Sequence, residues 1–142
     1  MNFEITIQPA NELQYLQILV LAKYMALDLS EVRRDQFVVA LEGKKIIGFI
    51  RIKNNKDLIE LATMGVVKGY RGQGIGRLLI NYFKVKYDSL HLITCIPKHF
   101  EKQGFVSVSE IPESLQGKYN NTALWAGYGD PVVLVFQRDN EA

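Results

Sequence analysis

The sequence is poor in the residues that staple small folds or bind metals. Of 142 residues, one is cysteine (Cys95), two are histidine, four are proline and one is tryptophan. A single thiol excludes an intramolecular disulfide framework and suits a reducing compartment. One cysteine and two histidines cannot supply a zinc-ligand spacing, so no metal is expected. An excess of one charge is missing too. The net charge is +2, with lysine and arginine spread along the chain, too weak and diffuse to argue for nucleic acid as the main partner. No apolar run approaches the roughly 18 residues that a membrane span requires. The opening residues, MNFEITIQPANEL, put acids and polar groups where a secretion signal needs apolar ones. A soluble, cytoplasmic protein is expected.

What remains is an ordinary globular composition, 48% hydrophobic and 23% charged, and a length that suits one core-bearing domain over residues 1–142. No repeat, low-complexity tract or linker divides it. Phe3, Ile5 and Ile7 alternate with polar residues, as in a strand. After Pro9 and Asn11, the residues Leu13, Leu16, Val20, Tyr24 and Leu27 recur at helical spacing and predict an amphipathic helix with that face inward. Asp28 to Gln36 is polar and reads as a short helix or a loop. Phe37 to Leu41 and Lys45 to Ile52 flank a glycine turn, as in a hairpin.

Residues 54 to 57 make a second turn. Leu58 to Val67 is mostly apolar, like a central strand covered on both faces. Gly65 interrupts it where a bulge or a ligand's close approach fits. Ile75, Leu79, Tyr82, Phe83 and Lys86, with Leu78, predict a helix. Leu90 to Ile96 reads as a strand, Pro97 to Gly104 as a short helix, and Phe105 to Val108 as a strand. Residues 112 to 130 are turn-rich, and Val132 to Phe136 closes the chain as a strand.

Arg71-Gly72-Gln73-Gly74-Ile75-Gly76 lies between an apolar strand and a helix. Amides at a helix start lack intrahelical partners, and the helix dipole adds positive character there. Glycines let an anion approach that backbone, so a phosphate site follows. Arg71 and Arg77 add mobile positive charge at its rim. A nucleoside-triphosphate loop would end in Gly-Lys-Ser/Thr, whereas Arg77 and Leu78 follow Gly76. A dinucleotide fingerprint would read G-x-G-x-x-G early in a β-α-β unit. A purely structural turn is the remaining alternative.

This loop resembles the hallmark R/Q-x-x-G-x-G/A of the GNAT superfamily of N-acetyltransferases. The hairpin from Phe37 to Ile52 and the segment Phe100 to Phe105 fit the same family. The resemblance implies an α/β fold with a mixed, mostly antiparallel sheet and helices on both faces, ordered β-α-(α)-β-β-β-α-β-α-β-β. It implies acetyl-CoA as co-substrate, with pyrophosphate on the amides from Arg71 to Gly76. Pantetheine would lie along Met64, Gly65 and Val66, where the strand splays from the one at Leu90 to Ile96. The Val66 N–H would face the thioester carbonyl as an oxyanion donor.

An attacking amine must lose a proton. Glu60, the one acid in the apolar strand, fits the family's pattern of a strand glutamate as base. Its alternative is a surface glutamate or one paired with a lysine. Many relatives carry a tyrosine acid where this chain has Phe100, beside His99; Tyr119, in the loop before the last strand, is the substitute, and departure of the thiolate unassisted or with a proton from water is the alternative. Cys95 reads as a small core hydrophobe, and His91 and His99 as structural or exposed. Trp125 and Tyr128 wall a pocket or simply pack.

The stretch from Lys98 to Asn120 is similar to the end of amino-acid N-acetyltransferases such as N-acetylglutamate synthase, which implies an amino acid or other small amine as acceptor. The expected partners are that amine and acetyl-CoA, without nucleic acid or membrane and with a homodimer left open. A catalytically silent acyl-CoA-binding module and a protein or peptide N-acetyltransferase are the alternatives.

Overall fold

The structure, a computed structural model, describes residues 4–55 and 57–138. Phe3 in the first predicted strand and Lys56 in the predicted turn lie outside them. The elements are β1 (Ile5–Pro9), α1 (Glu12–Tyr24), a 3-10 turn (Arg34–Gln36), β2 (Phe37–Glu42), β3 (Lys45–Asn55), β4 (Leu58–Val66), α2 (Ile75–Lys86), β5 (Ser89–Thr94), α3 (Pro97–Glu101), β6 (Val106–Ser107), α4 (Glu113–Tyr119), α5 (Thr122–Trp125) and β7 (Val132–Gln137). The strand order is β1-β2-β3-β4-β5-β7-β6. This is the mixed, mostly antiparallel α/β architecture expected from the sequence, with β4 in the central place. Among the described residues, no helix is long and apolar enough to cross a membrane.

Two compact units divide the chain: Met1–Lys53 with Leu61–Phe83, and Asn54–Glu60 with Lys84–Ala142. In the first, β1 pairs antiparallel with β2, and β2 with β3 through a bulge between Ala40 and Leu41. The β2–β3 hairpin turns at Gly43, whose φ of +60° suits a residue without Cβ. Phe37, Val39, Leu41, Ile46 and Phe49 form a core with Ile18 and Ala22 of α1. Burying each large apolar side chain contributes about 1.5–3 kcal/mol.

Helix α1 starts at a capping box, in which Asn11 Oδ1 accepts from the Gln14 amide at 2.8 Å and Gln14 Oε1 accepts from the Asn11 amide at 2.9 Å. Its orientation differs from the expectation. Leu13, Leu16, Val20 and Tyr24 are exposed, by 66, 54, 70 and 90%. The inward face is Ile18 and Ala22, with Tyr15, Leu21 and Met25 partly buried against the same core. The helix is apolar on more than one side, so spacing alone admits two stripes, and the shape of the β2–β3 surface selects the one with the small Ala22.

Gly65 is a point of close approach, but the neighbour is the protein itself. A Cβ there would lie 2.6 Å from the Phe49 ring and 2.9 Å from Met25 Sδ. Helix α2 buries Ile75, Leu79, Ile80 and Phe83. Leu78, expected on that face, is 41% exposed, and Ile80 takes its place.

In the second unit β5 pairs antiparallel with β7, and β7 with the short edge strand β6. The residues from 112 to 130, read as turns, contain two helices, α4 and α5. Pro112 precedes α4, and Leu115, fully buried, anchors it. Cys95 follows β5 rather than lying in it. It is half-buried, 3.5 Å from the Gly129 carbonyl, and is no core residue.

Candidate active site

The loop from β4 to α2 has the geometry that its glycines imply. Gly72 and Gly74 adopt φ of +77° and +84°, and a Cβ on either would meet nothing within 4 Å. The backbone is therefore open outward. The Leu78 amide donates to the Gly74 carbonyl at 3.1 Å, closing the first turn of α2. The amides just before it have no helical carbonyl four residues back. Among the described residues, no amide from Arg71 to Gly76 donates to a loop or turn carbonyl. A bound phosphate would meet a row of unspent donors at the positive end of the α2 dipole.

Several contacts hold the loop in place. Gly76 brings the start of α2 against Met64, whose Cε would lie 3.3 Å from a Cβ at that position. Tyr70 donates its hydroxyl to Glu42 Oε1 at 3.0 Å, while Lys45 Nζ lies 5.0 Å over the Tyr70 ring. The hairpin turn is thus tied to the residue before Arg71. Arg71 Nε donates to the Val66 carbonyl at 2.9 Å, which draws the Arg71 side chain back to the end of β4. Gln73 Nε2 likewise donates to the Gly69 carbonyl. Arg77 is exposed on α2. Met64, Gly65, Val66 and Arg71 to Arg77 are thereby consecutive along one strand end, loop and helix start.

Glu60 lies near the start of β4, 2% exposed. It is not the surface glutamate of one alternative, and it has the lysine partner of the other. Lys118 Nζ is 2.7 Å from Glu60 Oε2, with side-chain exposures of 18 and 3%. Asn55 Nδ2 donates to Oε1 at a long 3.4 Å. Lys118 belongs to α4, and its carbonyl accepts from Trp125 Nε1 at 3.1 Å. Trp125 therefore packs down to fix the helix end, whereas Tyr128 is 70% exposed. Lys118 and Asn55 were not legible as partners of Glu60, because no local pattern marks a lysine 58 positions from its partner.

Tyr119, expected in a loop, stands in the last turn of α4 beside Lys118. Phe100 is on α3 and packs edge-on against Phe105. It offers no proton. His91 faces Glu60 across the parallel β4–β5 pair, and that residue pair is the single β4–β5 register match among the described residues. Its Nδ1 is buried without a hydrogen-bond partner among the described residues. Burial holds the imidazole below its ordinary value, opposed by the Asp57 charge. His99 is exposed. Desolvation, and then Asp130, hold the Cys95 thiol above its ordinary value, which disfavours a nucleophilic thiolate.

No curated protein matches the chain in sequence. In structure it is similar to N-acetylglutamate synthase from Neisseria gonorrhoeae complexed with coenzyme A and N-acetyl-glutamate, with a TM-score of 0.78 and 19% identity over 99% of this chain and 36% of that one. The chain thus spans little more than a third of that protein. It is also similar to Rv2747 from Mycobacterium tuberculosis in complex with CoA (TM-score 0.68, 14% identity, 93 and 98% of the two chains). A third likeness is to Arabidopsis thaliana Naa50 with the bisubstrate analogue CoA-Ac-MVNAL (TM-score 0.61, 20% identity, 92 and 97%). Residues 33–107, more than half of the chain and including the whole glycine loop, match the acetyltransferase (GNAT) domain, and the chain belongs to that family.

Proposed function

We propose that the chain transfers an acetyl group from acetyl-CoA to the primary amine of an amino acid or another small molecule, by direct attack in a ternary complex. The observation that carries this reading is the open glycine loop at the start of α2, with its free amides and its left-handed Gly72 and Gly74. Those amides suit a pyrophosphate, and the family supplies the identity of the donor.

In this reading the pyrophosphate lies on the amides from Arg71 to Gly76, with Arg77 adding charge. Pantetheine runs along Met64, Gly65 and Val66, and the Val66 N–H donates to the thioester oxygen as it becomes negative. The amine nitrogen forms a bond to the carbonyl carbon, and the C–S bond breaks with its electron pair on sulfur. Glu60 takes the proton from the amine at Oε1, directly or through one water, since among the described residues that oxygen has only the long Asn55 contact. The thiolate takes a proton from Tyr119 or from water, because Phe100 cannot supply one.

A second reading has a specific observation behind it. Glu60 Oε2 is engaged by Lys118, and Phe100 stands at the family's tyrosine position. Both suit a silent acyl-CoA-binding module. An acceptor screen with acetyl-CoA, covering amines, amino acids and peptides and reading free thiol, separates the two. Thiol release with a small amine supports the enzyme. CoA binding with no release for any acceptor favours the module, and release with peptides alone moves the acceptor to a protein N-terminus.

A further inference from the structure

The Glu60–Lys118 pair presents its two charges unequally. The Glu60 side chain is 3% exposed, whereas the Lys118 side chain is 18% exposed. A ligand arriving at this pair therefore meets Lys118 first. One of the three ammonium hydrogens is directed to Glu60 Oε2 at 2.7 Å, which leaves two for another acceptor. On the other side, among the described residues, Glu60 Oε1 has only the 3.4 Å contact from Asn55, long for an N–H···O bond.

That arrangement discriminates among amines. A plain alkylammonium directed at Glu60 brings a second positive charge beside Lys118 in a partly desolvated setting, where like charges repel strongly. An acceptor that carries a carboxylate next to its ammonium cancels this cost. Its negative end takes the two spare Lys118 hydrogens while its positive end takes Glu60 Oε1. The four charges then alternate in sign. Peptide N-termini lack that carboxylate, since it is tied up as an amide.

We propose that Lys118, with Glu60, reads the acceptor as a zwitterion, so that the preferred substrates are free α-amino acids or close relatives with a carboxylate beside the amine. The inference rests on the acetyltransferase reading above, in which Glu60 faces the acceptor amine. Lys118 is pre-set for this role, because α4 carries it, buried Leu115 anchors the helix, and Trp125 holds the Lys118 carbonyl. Arginine in its place would keep the charge, whereas glutamine would keep much of the length and lose it.

The test uses matched acceptor pairs, each amino acid against its own amide, at saturating acetyl-CoA with product detected by mass. Wild-type protein should favour the acid at least tenfold in kcat/KM. Lys118→Gln should bring the ratio to within about twofold, chiefly through the acceptor KM, with the acetyl-CoA KM unchanged. Lys118→Arg should retain the preference. Equal or better use of the amides by wild-type protein overturns the proposal, and so does a preference that survives in Lys118→Gln. If Lys118→Gln does not fold, the wild-type ratio decides alone. Turnover of amines without regard to the carboxylate sinks this inference and spares the acetyltransferase reading. Absence of turnover with every acceptor sinks both.

Discussion

Lys118 Nζ lies 2.7 Å from Glu60 Oε2, joining a lysine on α4 to the one acid of β4 across 58 positions of sequence. The two partners are not equivalent for stability. Removing the lysine leaves a buried carboxylate uncompensated, which costs about 3–5 kcal/mol. Removing the acid leaves an ammonium that can turn to solvent, and the loss should be about 1.5–3 kcal/mol, the worth of a charged hydrogen bond. Lys118→Met should therefore lower the urea midpoint more than Glu60→Gln does. The opposite order would show that the pair is not sealed around Glu60.

Kinetics should show the other side of Glu60. A general base contributes about 10²–10⁴-fold, so Glu60→Gln should raise the barrier by roughly 3–5 kcal/mol while acetyl-CoA affinity persists. The deficit should shrink as pH rises, because more of the amine is already neutral in solution. Activity within about threefold of wild type at neutral pH would end the base assignment.

The glycine loop admits a matched comparison. Gly74 and Gly43 both sit at positive φ, +84° and +60°, with open space at the Cβ position. Aspartate at either site meets similar backbone strain. Only at Gly74 does the new carboxylate face the proposed phosphate. CoA should raise the melting temperature of wild type and Gly43→Asp by mass action, and fail to do so for Gly74→Asp. A similar CoA shift in both variants would refute the loop assignment.

His91 gives a pH dependence whose sign follows from its burial. Its folded value lies below the ordinary 6.5, chiefly through desolvation and against the Asp57 charge. As pH falls below about 6.5 the unfolded chain takes up the proton before the folded one. The contribution of His91 is thus fully present above 6.5 and is lost as pH falls from there toward the folded value. Melting temperatures measured from pH 7.5 to 5 should fall less steeply for His91→Gln than for wild type. Identical slopes would mean that the imidazole titrates freely in the fold.

The two faces of α1 can be told apart by substitution. Ile18 is fully buried, and Ile18→Ala should cost about 2–5 kcal/mol. Val20, 70% exposed, should accept lysine within roughly 0.5 kcal/mol. Equal losses at the two sites would put the apolar stripe from Leu13 to Tyr24 against a partner surface.

The sequence by itself determined whatever depends on short-range backbone rules. The open turn from Arg71 to Gly76 at the start of α2 follows from alternating glycines before an apolar helical repeat. The Phe37–Ile52 hairpin follows from two β-rich runs around Gly43. Tertiary structure decided the rest. Helix α1 carries two apolar stripes, and only the surface of Phe37, Val39 and Phe49 chose between them. Helix α4 was hidden because Gly117 weakens the local helical signal, and packing of Leu115 outweighs it; α5, four residues long, is too short to show a helical period. Whether Glu60 would meet water or a lysine depended on where α4 puts Lys118, and no local spacing encodes an ion pair between residues so far apart.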